Sequence, residues 1–151
     1  MSNKNFNEEY EDLEKEKKNK FYNKYKNIFS EFGPKCGFYC DKGWFNLIEN
    51  LCEDINNELN KPKNNNLHIE VSQIKEKFGG LRFYYDCIDI EYNDYKDILN
   101  KIDQLISKSE NFSFQICEQC GKSGKLINFN GWLKTCCSLC EENIRKNLSN
   151  R

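Results

Sequence analysis

The chain has 151 residues, enough for one domain, or for a small domain with a metal-stabilised module, which excludes two large independently cored domains. Hydrophobic residues make up 38%, aromatic residues 14% and charged residues 31%, a polar composition that still holds enough Phe, Tyr, Trp, Ile and Leu for a core and so excludes a disordered chain. Lys and Arg (23) nearly balance Asp and Glu (24) for a net charge of -1, so there is no global basic field, and a charge-driven partner must read a local patch.

From Asn7 to about Phe32 the pattern predicts a helix, with Phe21, Tyr22, Tyr25, Ile28, Phe29 and Phe32 gathered on one face and Gly33-Pro34 ending it. Acidic residues early (Glu8, Glu9, Glu11, Asp12) and basic residues late (Lys20, Lys24, Lys26) suit the helix dipole. After a turn with Cys36 and Cys40, Asp41 is expected to cap a core helix in which Trp44, Leu47, Ile48, Leu51, Cys52, Ile55 and Leu59 recur at three- and four-residue steps. Asn64, Asn65 and Asn66 then make a polar loop.

Between Leu67 and Ile90 the period changes to two, and Phe78-Gly79-Gly80-Leu81 supplies the turn of a β-hairpin. Either a two- or a four-residue loop puts Ile74, Phe78, Leu81, Phe83 and Tyr85 on a core face, and Lys75, Lys77, Arg82 and Tyr84 on the other. That second face is a candidate binding surface for a protein partner or for nucleic acid, since cations beside an aromatic ring suit phosphate contact and base stacking. A third helix is expected over about Tyr92 to Glu110, with Ile98, Leu99, Ile102 and Ile106 on one side.

The remainder reads Cys117-Glu-Gln-Cys120-Gly121 and, after a spacer, Cys136-Cys137-Ser-Leu-Cys140. Two Cys-x-x-Cys pairs with sixteen residues, Gly121 to Cys136, between them match a zinc ribbon. Two thiolates three residues apart in a tight turn can face one ion, and Gly121 lets that turn adopt positive φ so that amides point at sulfur. Leu126–Phe129 and Trp132–Thr135 flank Asn130-Gly131, a type I′ pair, so the spacer is a hairpin that returns the second pair to the first. A short helix from about Leu139 to Leu148 follows.

The expected ligands of Zn²⁺ are therefore Cys117, Cys120, Cys137 and Cys140, with Cys136 turned into the hairpin packing. Four thiolates leave no open position, which marks a structural site. Cys36, Cys40, Cys52 and Cys87 match no ligand spacing and are expected as buried small hydrophobes, and the single histidine, His68, as exposed. No phosphate-binding glycine loop, nucleophile elbow or histidine pair is present, so the expectation is a non-enzymatic protein.

Alanine is absent, Asn and Lys abound, and Arg occurs only at positions 82, 145 and 151, a bias that indicates an AT-rich genome. No apolar run approaches the roughly 18 residues of a membrane span and the first thirty residues carry no apolar signal core, so a cytoplasmic protein with reduced cysteines is expected.

The sequence suggests an α+β fold: a charged amphipathic helix (1–34), a core of helix, hairpin and helix (35–113), and a zinc ribbon with a final helix (114–151). Cys40-Asp-Lys-Gly-Trp44-Phe45, Lys75-Glu-Lys77-Phe78-Gly79-Gly80-Leu81-Arg82-Phe83-Tyr84, Cys117-Glu-Gln-Cys120-Gly121, Gly131-Trp132 and Cys137-x-x-Cys140, in that order, resemble a group of small proteins of tailed phages and prophages. The resemblance spans about Cys36 to Glu142 and is most specific at the Lys-Glu-Lys-Phe-Gly-Gly-Leu-Arg-Phe-Tyr run. It implies a phage origin and a zinc-bearing C-terminus, and by analogy with small phage proteins a host protein as partner, including inhibition of host machinery or antiviral defence. The charged helix before Gly33 departs from the group's pattern.

Overall fold

A computed structural model describes residues 6–64, 66–88 and 92–150 of the chain. The described residues form an α+β fold of four helices and two small sheets: α1 (Phe6–Lys24), β1 (Phe38–Tyr39), α2 (Phe45–Leu59), β2 (His68–Lys77), β3 (Gly80–Ile88), α3 (Lys96–Ser113), β4 (Lys125–Phe129), β5 (Trp132–Cys136) and α4 (Ser138–Ser149). The first sheet has the order β1-β2-β3, with β1 parallel to β2 and β2 antiparallel to β3. The second is the antiparallel pair β4-β5. No helix among the described residues is long and apolar enough to cross a membrane.

Helices α2 and α3 pack against each other and, with the inner face of the first sheet, enclose the main core. The apolar steps of α2 bury Ile48, Leu51, Cys52, Ile55 and Leu59, and those of α3 bury Ile98, Leu99, Ile102 and Ile106. A β-bulge at Ser72 shifts the inward phase of β2 from Ile69 and Val71 to Ile74, which pairs with Phe83. On the open edge of β3, the amides of Leu81 and Phe83 donate to Ser113 Oγ (2.8 Å) and Glu110 Oε1 (3.1 Å), so α3 satisfies an edge that would otherwise be exposed.

The first helix stops at Lys24, not at Phe32. Residues 25–30 turn instead, Tyr25 O accepting from both Ile28 and Phe29, and Ile28 O accepts the amide of Val71 on β2 at 2.8 Å. Tyr22, Tyr25, Ile28 and Phe29 are buried, so the apolar stripe is divided between a helix and a turn, and Phe32 is left 89% exposed. The side chains of Glu8, Glu9 and Asp12 lie outside the described residues, as do Asp89 and Ile90 at the expected end of the hairpin. Asp41 makes no side-chain cap: a 3-10 turn, Lys42–Trp44, precedes α2. Another, Tyr92–Tyr95, precedes α3, which runs past Glu110 to Ser113.

The hairpin turn falls one residue earlier than Gly79-Gly80. Phe78 (φ 53°) and Gly79 (φ 80°) form the two-residue loop closing on Lys77 and Gly80, so Phe78 sits at the tip, 67% exposed, and does not join the core. The loop length stays even, which keeps Leu81 and Phe83 inward and Lys75 directly across from Arg82. The glycines are used for close approach: a Cβ on Gly80 would lie 2.3 Å from the Phe114 ring, and one on Gly79 would lie 2.2 Å from Leu126 Cδ1 on β4.

A tighter seam lies at Gly43, whose amide donates to Glu118 O at 2.7 Å and whose added Cβ would meet Cys117 O at 2.2 Å. Since the obstacle is backbone, Gly43→Ala is expected to cost about 1–3 kcal/mol, an overpacking penalty read as a lowered thermal midpoint. Phe32→Ser should change stability by no more than about 0.5 kcal/mol, as at other exposed positions.

Candidate metal centre

The sulfurs of Cys117, Cys120, Cys137 and Cys140 all lie within 4.8 Å of one another, the one such group of potential metal ligands among the described residues. The Cys120 and Cys137 sulfurs are 3.7 Å apart. A tetrahedral ion with metal–sulfur bonds of about 2.3 Å has sulfur–sulfur edges of about 3.8 Å, so the four donors fit such an ion with small adjustments.

Each pair is shaped by local backbone. Gly121, at φ 77°, returns its amide to Cys117 O (2.8 Å), and the amide of Cys117 donates to Lys122 O (2.7 Å), closing a tight knuckle. In the second pair Cys137 occupies the N-cap of α4 and Cys140 its first turn, with Glu141 N donating to Cys137 O at 2.9 Å. The β4-β5 hairpin, turning at Asn130 (φ 56°) and Gly131 (φ 97°), brings the two knuckles together.

Amide donation tunes the thiols. The Cys140 amide bonds the Cys137 sulfur and, with the neighbouring sulfurs, brings that thiol down to about 7 despite some desolvation. At Cys120 the Lys122 amide works in the same direction, but burial and the Cys117 and Cys137 sulfurs leave its pKa raised. Burial, together with the same crowding of sulfurs, raises Cys140 strongly. Four thiols so close cannot all ionise unless a cation takes up the charge, which is the chemistry of a metal site.

Cys136 is not one of the four clustered sulfurs; it is buried beside them in a small core with Cys117, Phe129 and Ile144, and burial pushes its thiol up to about 11. Cys40 and Cys52 are buried as the sequence suggests, whereas Cys36 and Cys87 are exposed. The amide of Cys36, in a surface turn, donates to Ser72 O, and Cys87 lies on the inward phase of β3 opposite the buried Ile69 but near the end of the strand, where it is exposed, so both depart from the buried role expected of them. His68 is exposed at the start of β2.

The module is fastened to the main core by polar contacts that the cysteine spacing does not reveal. Glu118, inside the first Cys-x-x-Cys, and Lys134, on β5, are 3% and 8% exposed and form an ion pair at 2.6 Å. The other Glu118 oxygen accepts the Asp41 amide at 3.1 Å, and Lys134 also reaches Asp41 Oδ2 at 3.4 Å. Burial raises the Glu118 pKa in spite of the ammonium. Burial works against the charge of Lys134 too, but Glu118 and Asp41 raise its pKa on balance. The Trp44 indole, fully buried, donates to Ile116 O at 2.8 Å, and Thr135 Oγ1 donates to Gly79 O at 2.6 Å.

Of the predicted binding face, Lys75 and Arg82 are paired across the hairpin, with Lys75 Nζ 5.6 Å from the Tyr84 ring centre and Lys77 Nζ 5.4 Å from that of Phe78. The parallel strand β1, absent from the sequence reading, adds the exposed Tyr39 in register with Lys75. Comparison with family models, with curated proteins and with solved structures finds no match for this chain.

Two outcomes follow. Stripping metal with a chelator and a thiol-reactive mercurial should abolish amide-exchange protection across residues 115–149, because Cys117, Phe129, Cys136 and Ile144 alone are too small a core to hold that segment. Protection at Ile48–Ile55 and Leu99–Ile106 should persist. Lys134→Met should cost about 3 kcal/mol by stranding a buried carboxylate, and Glu118→Gln in the same chain should recover much of it, read by chemical denaturation.

Proposed function

We propose that this chain is a non-catalytic binding protein of the phage type, in which a structural Zn²⁺ held by Cys117, Cys120, Cys137 and Cys140 in a zinc ribbon stabilises a surface that engages a host protein. The mutual distances of the four sulfurs support a metal, and a shell completed by four thiolates offers a substrate no place on it. Zinc is the ion that thiolate-only tetrahedral sites of this spacing most readily suit. The phage and host parts of the reading come from the resemblance of the sequence motifs.

The observation that carries a binding role is the outer face of the β1-β2-β3 sheet. Tyr39, Phe78 and Tyr84 are 67%, 67% and 41% exposed, and Lys75, Lys77 and Arg82 are interleaved with them. Lys75 directly opposite Arg82 costs stability through like-charge repulsion, a cost that an acidic partner removes. Exposed tyrosines beside arginine are the composition of energetic centres at protein interfaces. The partner that fits is a host protein with an acidic patch; inhibition of host machinery or antiviral defence is the role that the resemblance suggests.

A second reading rests on the cation–aromatic pairs Lys75–Tyr84 and Lys77–Phe78, which also suit single-stranded nucleic acid. Salt separates the two. Contact of three cations with phosphates would give a log–log salt slope of about -2 for a single strand, whereas a protein interface with an apolar centre responds far less. A photo-crosslinking residue at Tyr84 should capture one host protein, and Lys75→Glu with Arg82→Glu should abolish that capture. Crosslinking to nucleic acid instead, with the steep salt dependence, would overturn the protein-binding reading.

A further inference from the structure

A second, unassigned site lies between the C-terminal half of α1 and the start of α2. It is a groove with a volume of about 460 Å³, within the range of small-molecule sites, and Cys120 lies at its edge. Its floor is aromatic: the Phe38 ring meets Phe21 and Phe45 edge-to-face, with centroids 6.4 and 5.6 Å apart. Its rim is basic, with Lys17, Lys18, Lys20 and Lys24 from α1 and Lys42 from the turn before α2, against the single carboxylate of Glu49.

These lysines are not equivalent. Lys24 is bonded to Glu49 and Lys20 to Glu16, each at 2.8 Å. Lys18 is held in place by donating to Phe38 O at 3.2 Å, with its ammonium 4.9 Å from the Phe38 ring centre. Neither Lys17 nor Lys18 has a carboxylate within ion-pair distance among the described residues. A divalent ion in four thiolates carries a net charge of -2, which draws cations toward Cys120. Charge compensation alone, however, gives no use to an aromatic floor beneath a positioned ammonium.

Cations over a ring-lined floor of this size match a ligand with a flat apolar ring at one end and a phosphate at the other. We propose that the groove binds a nucleoside phosphate, with the phosphate at Lys17 and Lys18 and the base against Phe45 and Phe21. The site is separate from the sheet face and stands whether or not that face engages a host protein. The same nucleotide chemistry has two sources, a free mononucleotide or a nucleotide of an unpaired strand.

The test is equilibrium titration of the full, metal-loaded chain with AMP, with adenosine, with inorganic phosphate and with a short oligothymidylate. Saturable 1:1 binding of AMP, about tenfold tighter than adenosine or phosphate alone, is expected, since each of those keeps only one half of the recognition. Preference for the oligothymidylate over AMP would assign the groove to a strand. Lys18→Gln should weaken binding about tenfold and Phe45→Leu about fivefold, the effects of losing one charged hydrogen bond and of trimming one stacking surface. Metal content and thermal midpoint of each variant, measured on the same samples, show that the fold is retained, and Lys17→Glu, on the exposed side of α1, supplies a variant without packing consequences. Lys75→Ser with Arg82→Ser should leave nucleotide binding unchanged. No binding of AMP or oligothymidylate, or binding that the groove variants leave intact, overturns the proposal.

Discussion

The structure of the last quarter of this chain depends on bringing four sulfurs together. Residues 115–149 bury Cys117, Phe129, Cys136 and Ile144 and little else that is apolar, far too small a core to offset the entropy of ordering two knuckles, a hairpin and a helix. One ion shared by Cys117, Cys120, Cys137 and Cys140 would replace that missing core with four strong bonds between segments distant in sequence. Once the module is closed, it offers backbone carbonyls at Ile116 and Glu118 to the Trp44 indole and the Gly43 amide, so the metal centre and the main core share one seam.

That seam explains why charge is buried here. Glu118 and Lys134 face each other where the knuckle, β5 and the turn at Asp41 converge, and both are almost fully shielded. A pair of this kind contributes little net stability against apolar groups of the same shape, but it penalises any docking that leaves one partner alone. The two glycines of the hairpin tip act on the same boundary. Gly79 and Gly80 admit Leu126 and Phe114 at distances no side chain would allow, and the turn shifts one residue so that Phe78 takes the exposed corner.

Much of this was legible in the sequence. The clustering of the four cysteines, the Asn130-Gly131 turn and α4 follow from spacing and turn chemistry, because knuckle geometry and positive φ act locally. Helices α2 and α3 are legible for a related reason: their apolar steps face one continuous core. The misses are places where tertiary contacts decide. The stripe from Phe21 to Phe29 reads as one helix, yet the pull of β2 on Ile28 O ends it at Lys24 and strands Phe32. Lys134 is a charged residue in a short strand whose last three residues are all buried, and nothing local announces that Glu118 waits across the seam. Strand β1 has two residues, too few for a periodic signal, yet it widens the outer sheet face by Tyr39.

Two surfaces are thus presented by one frame, the sheet face around Lys75, Arg82 and Tyr84 and the groove around Lys18 and Phe45, and the groove borders Cys120, an exposed member of the cysteine cluster. The measurement that bears most directly on the frame is X-ray absorption at the metal edge of protein isolated from cells without added metal. The account predicts one zinc per chain with four sulfur neighbours at about 2.3 Å. A shell containing nitrogen or oxygen donors, or a well-folded C-terminal segment carrying no metal, would contradict it.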